Sequence, residues 1–200
     1  MLIVGFDLDM TLVDSRPGIR ASMGALARET GVAIDVDVVI GRLGPKLEWE
    51  LAHWYPADQV DAMATRYREL YWDECAGDGT TLLPGARAAV DAVRARDGQV
   101  VIVTAKLASH ALRCLAVVGI EADAVAGHVH GDEKRDALRD HGVGIYVGDT
   151  VADVRAAIGA SALAVGVTTG PDDARTLVAA EADLVIDSLD DFPPWLATVT

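Results

Sequence analysis

Lysine and cysteine are scarce in this 200-residue chain: three lysines (Lys46, Lys106, Lys134) and two cysteines (Cys75, Cys114) stand against 31 acidic residues, for a formal net charge of −14. So acidic a chain lacks the clustered basic surface that nucleic acid or an anionic membrane face requires, and neither partner is expected. Two cysteines do not describe a disulfide framework, and both read as reduced packing residues. No apolar run approaches the ~18 residues of a membrane span, and no basic segment precedes a long apolar one at the start. A cytoplasmic protein is expected. Internal repeats and low-complexity stretches are missing as well. An anionic substrate stays open, drawn in by few local cations.

What is present is apolar residues, 51% of the chain, enough for one sizeable core or for a core with an inserted module. From Gly98 onward short β-rich runs alternate with helical patterns. The pairs are Gln99 to Thr104 with Leu107 to Val118, Ala124 to Ala126 with Glu133 to Asp140, Ile145 to Val147 with Val151 to Ile158, and Ala162 to Val167 with Asp173 to Ala180, before a last run at Asp183 to Ile186. Such alternation predicts an α/β fold, a doubly wound parallel sheet covered by helices on both faces. The first strand, Leu2 to Phe6, is separated from the rest by a segment of another kind.

Between Ser15 and Asp78 the pattern is helical, with one stripe at Ile19, Met23 and Leu26 and another at Val60, Met63, Ala64, Tyr67 and Leu70 or Tyr71. Gly31 is placed to stop the first helix, and Trp49, Trp54, Tyr55, Tyr67, Tyr71 and Trp72 are expected to fill the core of a small helical module. Leu83-Pro84-Gly85 marks re-entry to the sheet, with Pro84 expected at a helix start. The expected domains are therefore a core of residues 1–14 and 80–200 and a helical insertion of residues 15–79. The segment Leu189 to Trp195 reads equally as terminal packing or as a contact surface.

Ligands of such sheets bind beyond the carboxyl ends of the strands. Asp7 and Asp9, spaced i, i+2 at the end of the first strand, are sent to one side, where one carboxylate could attack while the other moves a proton; capping of the following turn is the alternative. Thr104, Lys134 and Asp149 follow later apolar runs in the same way. Asp149 and Asp153 have an N-cap alternative, but four residues apart they would sit at roughly 5–6 Å, where like charges repel. A hard divalent cation, Mg²⁺, would resolve that repulsion in an oxygen-rich site. Lys134 opens a helix, where the macrodipole disfavours a cation, so it is either a solvated surface residue or is held there by carboxylates and a phosphate oxygen. Thr104 is either an ordinary β-branched strand residue or a donor to a phosphoryl group, assisted by the Ala105 N–H.

The motifs Asp7-Leu8-Asp9-Met10-Thr11-Leu12-Val13-Asp14-Ser15 and Gly148-Asp149-Thr150-Val151-Ala152-Asp153, the latter followed by Ala156-Ala157, resemble those of the haloacid dehalogenase superfamily, in its phosphoglycolate phosphatase-like branch with a helical cap. The resemblance implies that Asp7 is the nucleophile and Asp9 the general acid and base. It also implies that Thr104 and Lys134 bind phosphate, and that Asp7, Asp149 and the main-chain carbonyl of Asp9 hold Mg²⁺ with support from Asp153. Three departures stand out: Met10 for the commoner Gly, Ala105 for a frequent Asn, and Arg135 after the lysine where Pro is common.

These readings lead to an expected Mg²⁺-dependent phosphatase for a small phosphorylated metabolite, as a monomer or homodimer. Arg42 and Lys46 of the turn-rich loop Gly41 to Lys46, together with Ala105 and Lys106, are the candidate substrate-binding residues. An exposed surface arginine is the alternative for Arg42. A sugar-phosphate phosphomutase would share every core residue, and a phosphate-binding protein without turnover is the reading outside enzymes. A dehalogenase fits less well, because in the family this chain resembles that chemistry makes no use of the second aspartate of the first motif.

Overall fold

The computed structural model describes residues 1–74 and 79–199, so Cys75 lies outside the described residues. The chain opens with β1 (Ile3–Phe6) and a two-residue strand, β2 (Val13–Asp14). Four helices follow: α1 (Arg16–Thr30), α2 (Val36–Ile40), α3 (Leu47–Leu51) and α4 (Val60–Glu74). α1 carries Pro17 in its first turn and ends at Gly31, whose φ of 72° returns its N–H to Ala27 O. α2 begins where Asp35 accepts from the N–H groups of Asp37 and Val38. The apolar stripes of α1 and α4 bury Ile19, Met23, Leu26, Val60, Ala64, Tyr67 and Tyr71.

The chain returns through β3 (Thr81–Leu82), which pairs antiparallel with β2, Val13 opposite Leu82 and Asp14 opposite Thr81. Its remaining elements are α5 (Ala86–Arg94), β4 (Gln99–Val103), α6 (Ala108–Val118), β5 (Ala124–Ala126), α7 (Asp132–Asp140), β6 (Ile145–Gly148), α8 (Val151–Gly159), β7 (Leu163–Val167), α9 (Ala174–Ala179), β8 (Leu184–Ile186) and α10 (Phe192–Leu196). Six parallel strands order themselves β5-β4-β1-β6-β7-β8. β1 lies centrally, Phe6 in register with Ile102 on one side and Val147 on the other. The expected doubly wound sheet is present.

Alternation along the strands sorts the core into two layers. Val4, Phe6, Val100, Ile102, Ile145 and Val147 pack with α5, α6 and the apolar side of the helical segment. Val101, Val103 and Tyr146 face α7, α8 and α9. Gly5 is required on that second face: a Cβ there would fall 2.8 Å from Tyr146 Cδ2, so the missing side chain is what lets the Tyr146 ring lie across β1.

Two local expectations are corrected, and one left open is resolved. Pro84 does not open a helix; it precedes Gly85, the N-cap of α5, and that turn (φ 76°) is pressed so closely against Leu189 and Asp190 that a Cβ would fall 2.0 Å from Asp190 N. Trp49 and Trp72 do not fill the helical core: they stay 47% and 41% exposed, Trp49 beside the Arg42 guanidinium at 5.9 Å and Trp72 beneath that of Arg113 at 4.5 Å. The second stripe of the helical segment is completed by Tyr71 rather than Leu70, which is only half-buried. The terminal segment is packing, with Leu189, Phe192 and Leu196 buried and the Phe192 ring edge-on to Phe6 at 5.6 Å.

Candidate active site

Because β4, β1 and β6 are adjacent, the residues just past their carboxyl ends are neighbours, and this is where Thr104, Asp7 and Asp149 emerge. The Asp7 N–H still donates to Val147 O at 2.9 Å, so the backbone of β1 is held in the sheet as far as Asp7. Asp7, Asp149 and Asp153 are all buried, and one carboxylate oxygen from each lies within 4.8 Å of the others. Lys134 enters this cluster from the first turn of α7. It is 2% exposed, with Nζ 2.6 Å from Asp153 Oδ1 and 3.5 Å from Asp7 Oδ1. The surface alternative for Lys134 is thereby removed, and the carboxylates supply what holds a cation against the macrodipole.

Each carboxylate has a different set of partners. Asp149 is not the helix cap; Thr150 is, in a capping box with Asp153, while Asp149 accepts from the Thr11 hydroxyl at 2.7 Å. Gly170 makes room for it, since a Cβ there would fall 1.8 Å from Asp149 Oδ2. Asp153 is fully engaged: Oδ2 accepts from the Thr150 N–H and hydroxyl, and Oδ1 from Lys134 Nζ and, at 3.3 Å, from the Tyr146 hydroxyl. Asp7 Oδ1 is buried and has no hydrogen-bond partner among the described residues; its 3.5 Å approach to Lys134 is an electrostatic contact only.

The electrostatics follow from burial. Desolvation pushes the Asp7 carboxyl up to about 7 although Lys134 opposes it, with Asp153 and Asp9 adding to the rise. Asp149 is driven well above the carboxylate range by burial, then by Asp153 and Asp7. Burial acts on Asp153 too, but the Lys134 ammonium and the Thr150 donors outweigh it and hold Asp153 low. Three carboxylates thus share one amine. An orphaned carboxylate oxygen in an all-oxygen donor set fits a hard divalent cation, with Asp7 and Asp149 as the residues able to hold it. The committed oxygens of Asp153 suit it to support from behind.

Asp9 lines the same cavity as Asp7, where Ser15 Oγ donates to its Oδ1 at 2.5 Å and Lys106 Nζ at 2.7 Å. Lys106 also donates to the Tyr71 hydroxyl at 2.7 Å; burial opposes its charge, yet Asp9 and Tyr71 hold the amine well above its ordinary range. Met10, between the two aspartates and the later motif residues, sits at φ 60°, the backbone region in which glycine is at ease. Cys114 is a free, buried thiol 3.5 Å from the Tyr71 hydroxyl, a packing residue as expected.

Thr104 is buried at the cavity wall with Ala105, its N–H bonded to Ala126 O. Beyond them the cavity, about 110 Å³, runs under the helical segment to Arg42 and Arg68. Arg42 is no exposed surface residue, being clamped by both oxygens of Glu50. Lys46 is not brought into this cavity; it pairs with Glu133 at 2.5 Å and so ties the loop of residues 41–46 to the start of α7. Sequence reasoning gave no role to Thr11, Tyr146, Gly170, Glu50, Arg68 or His110. Thr11 lies inside the first motif and Gly170-Pro171 is a turn signal, whereas nothing local distinguishes Glu50, Arg68 or His110.

Comparison with known proteins agrees with this fold. The family model for haloacid dehalogenase-like hydrolases matches residues 1–161. The phosphoglycolate phosphatase of Salmonella typhimurium is 27% identical, with 96% of this chain and 91% of that protein covered; that of Pasteurella multocida is 23% identical over 92% and 93%. Among solved structures, a haloacid dehalogenase-like family protein from Streptococcus pneumoniae superposes with a TM-score of 0.84 at 24% identity, covering 98% of both chains. A β-phosphoglucomutase from Clostridium difficile reaches 0.75 at 21% identity over 96% and 93%. At these identities the structures speak for the fold. No helix among the described residues is long and apolar enough to cross a membrane.

Proposed function

The chain belongs to the haloacid dehalogenase-like hydrolases, and on that footing we propose that it is a phosphatase that cleaves a small phosphomonoester through a phosphorylated Asp7. The observation that carries this reading is the Asp7 Oδ1, without a hydrogen-bond partner among the described residues and buried beside Lys134 on the wall of a cavity that Asp9 also lines. The names of the curated relatives support the reaction class.

In the first step Asp7 Oδ attacks phosphorus in line, and the P–O bond to the alcohol breaks as Asp9 gives that oxygen a proton. In the second, Asp9 takes a proton from water, which attacks phosphorus and releases inorganic phosphate and free Asp7. The Thr104 hydroxyl, the Ala105 N–H and Lys134 are assigned to the non-bridging oxygens, where charge stabilisation supplies most of the acceleration of phosphoryl transfer. Lys106 and Ser15, both on Asp9 Oδ1, aim that carboxylate into the cavity. Mg²⁺, held by Asp7, Asp149 and the Asp9 main-chain carbonyl, would neutralise phosphoryl charge when bound. Residues 15–79 are assigned the role of a cap domain that shelters the reaction from water, with Arg42 facing the leaving group and Lys46 tying the loop down.

The test is phosphate release from an aryl phosphate with Mg²⁺, by the wild type and by Asp7→Asn. Loss of at least about a thousandfold in kcat/KM is expected for the variant, and activity within about tenfold of wild type would remove Asp7 from the reaction. A phosphomutase would isomerise a sugar phosphate without releasing phosphate.

A further inference from the structure

The far end of the cavity has cations in abundance and none to spare. Arg42 gives Nε to Glu50 Oε2 at 3.1 Å and Nη2 to Glu50 Oε1 at 2.5 Å. Arg68 gives Nη2 to Glu48 Oε1 at 2.5 Å, and Lys106 gives Nζ to Asp9 at 2.7 Å. His110, buried on the same wall, lies with Nε2 3.0 Å from the Arg68 carbonyl, which can only accept, so Nε2 carries the proton. Burial lowers its pKa and keeps the ring neutral. Among the described residues that line the far end of the cavity, Arg42 and Arg68 therefore each already face their own carboxylate, while Lys106, at the reacting end, is held by Asp9 and the Tyr71 hydroxyl. Between them the wall is apolar, built from Ile19, Met23, Val39, Leu43, Leu47 and Leu107.

We propose that the substrate is the phosphate monoester of an uncharged alcohol with an apolar body, and that an alcohol bearing a carboxylate, such as glycolate, is discriminated against. This rests on the phosphatase reading and refines it. A carboxylate on the leaving group, directed to the far end of the cavity, would shed its water without gaining a free guanidinium and would stand beside Glu50, and an unpaired buried charge is costly. A hydroxyl or ether oxygen asks only for a hydrogen bond. A guanidinium has five N–H donors, of which Glu50 takes two from Arg42, so the pair can orient such a group without being broken. The inference separates this chain from the activity named for its curated relatives, which it matches at 23–28% identity.

The test compares kcat/KM, by phosphate release with Mg²⁺, for phosphoglycolate, 2-hydroxyethyl phosphate and benzyl phosphate. The two neutral esters are expected to exceed phosphoglycolate by at least about tenfold. Phosphoglycolate equal or ahead overturns the proposal and leaves the phosphatase reading standing, whereas no release from any ester overturns that reading itself. Glu50→Gln keeps the shape of the side chain and frees the charge of Arg42, so the ratio of phosphoglycolate to 2-hydroxyethyl phosphate is expected to rise by about tenfold. Should that variant not fold, Glu48→Gln frees Arg68 on the same wall and the same shift is expected. An unchanged ratio in a folded variant of either kind shows that charge matching does not set the preference and overturns the proposal.

Discussion

Lys134→Met isolates the cost of gathering three carboxylates around one amine. The methionine keeps an unbranched stem beside the Tyr146 ring, over which Lys134 Nζ now sits at 5.7 Å, and removes only the charge and its donors. Wild-type Lys134 is 2% exposed, with Asp153 at 2.6 Å and Asp7 at 3.5 Å. Removing one partner of a buried pair leaves an uncompensated charge and costs about 3–5 kcal/mol. At ~2–4 °C per kcal/mol for a chain of this size, the melting temperature should fall by about 6–20 °C. The loss should depend on pH in a stated direction. Asp7 titrates at about 7 in the folded protein against 3.8 ordinarily, so between these values the folded state holds a proton the unfolded state has released, and stability rises as pH falls from about 7 towards 4. Lys134 lowers the Asp7 and Asp149 carboxyls, and its removal lifts them further. Thermal melts of both proteins in EDTA between pH 5 and 8 should therefore show the deficit of the variant largest at pH 8 and smallest at pH 5. A deficit under about 1 kcal/mol at pH 8, or one that grows on acidification, refutes the reasoning.

Magnesium should act on the same repulsion. At a hundred times its Kd it adds about 2.7 kcal/mol to stability, or roughly 5–11 °C in Tm for this chain length; a Tm indifferent to Mg²⁺ and EDTA would mean that the cluster holds no cation. Gly170→Ala puts a Cβ 1.8 Å from Asp149 Oδ2 and must displace that carboxylate. The Mg²⁺-induced shift should vanish and kcat/KM fall by about a hundredfold, and a variant that keeps both would show that Asp149 is free to move. Tyr146→Phe strips Val103 O of its 2.8 Å donor and Asp153 of one at 3.3 Å, at a cost of about 1–3 kcal/mol measured by urea unfolding; a neutral result would mean that water replaces the hydroxyl.

The alternation of β-rich and helical runs determined the sheet and its layers, because a strand buried on both faces must be apolar throughout while the helices that cover it need one apolar stripe. The first motif was legible for a related reason: Asp7 and Asp9 are polar where the apolar run of β1 stops. Pro84 and the tryptophans depart from their local preferences because of neighbours the pattern does not show: Gly85 meets the distant Leu189–Asp190 turn, Trp72 lies beneath Arg113, 41 residues on, and Trp49 stays out beside Arg42 of the preceding loop. Sequence spacing also proposed Asp149 and Asp153 as equals. Folding set them apart, since Asp153 is spent on Thr150, Tyr146 and Lys134 while Asp149 accepts from the hydroxyl of Thr11, 138 residues away.

Which cations remain available to a ligand was a question only the tertiary structure decided. A residue's charge is written in the sequence, but whether that charge is already matched depends on contacts such as Arg68 with Glu48 and Lys106 with Asp9, made between segments 20 and 97 residues apart. Burial then converts those pairings into chemistry, because the low polarity of the interior multiplies both the attraction of a matched pair and the cost of an unmatched one.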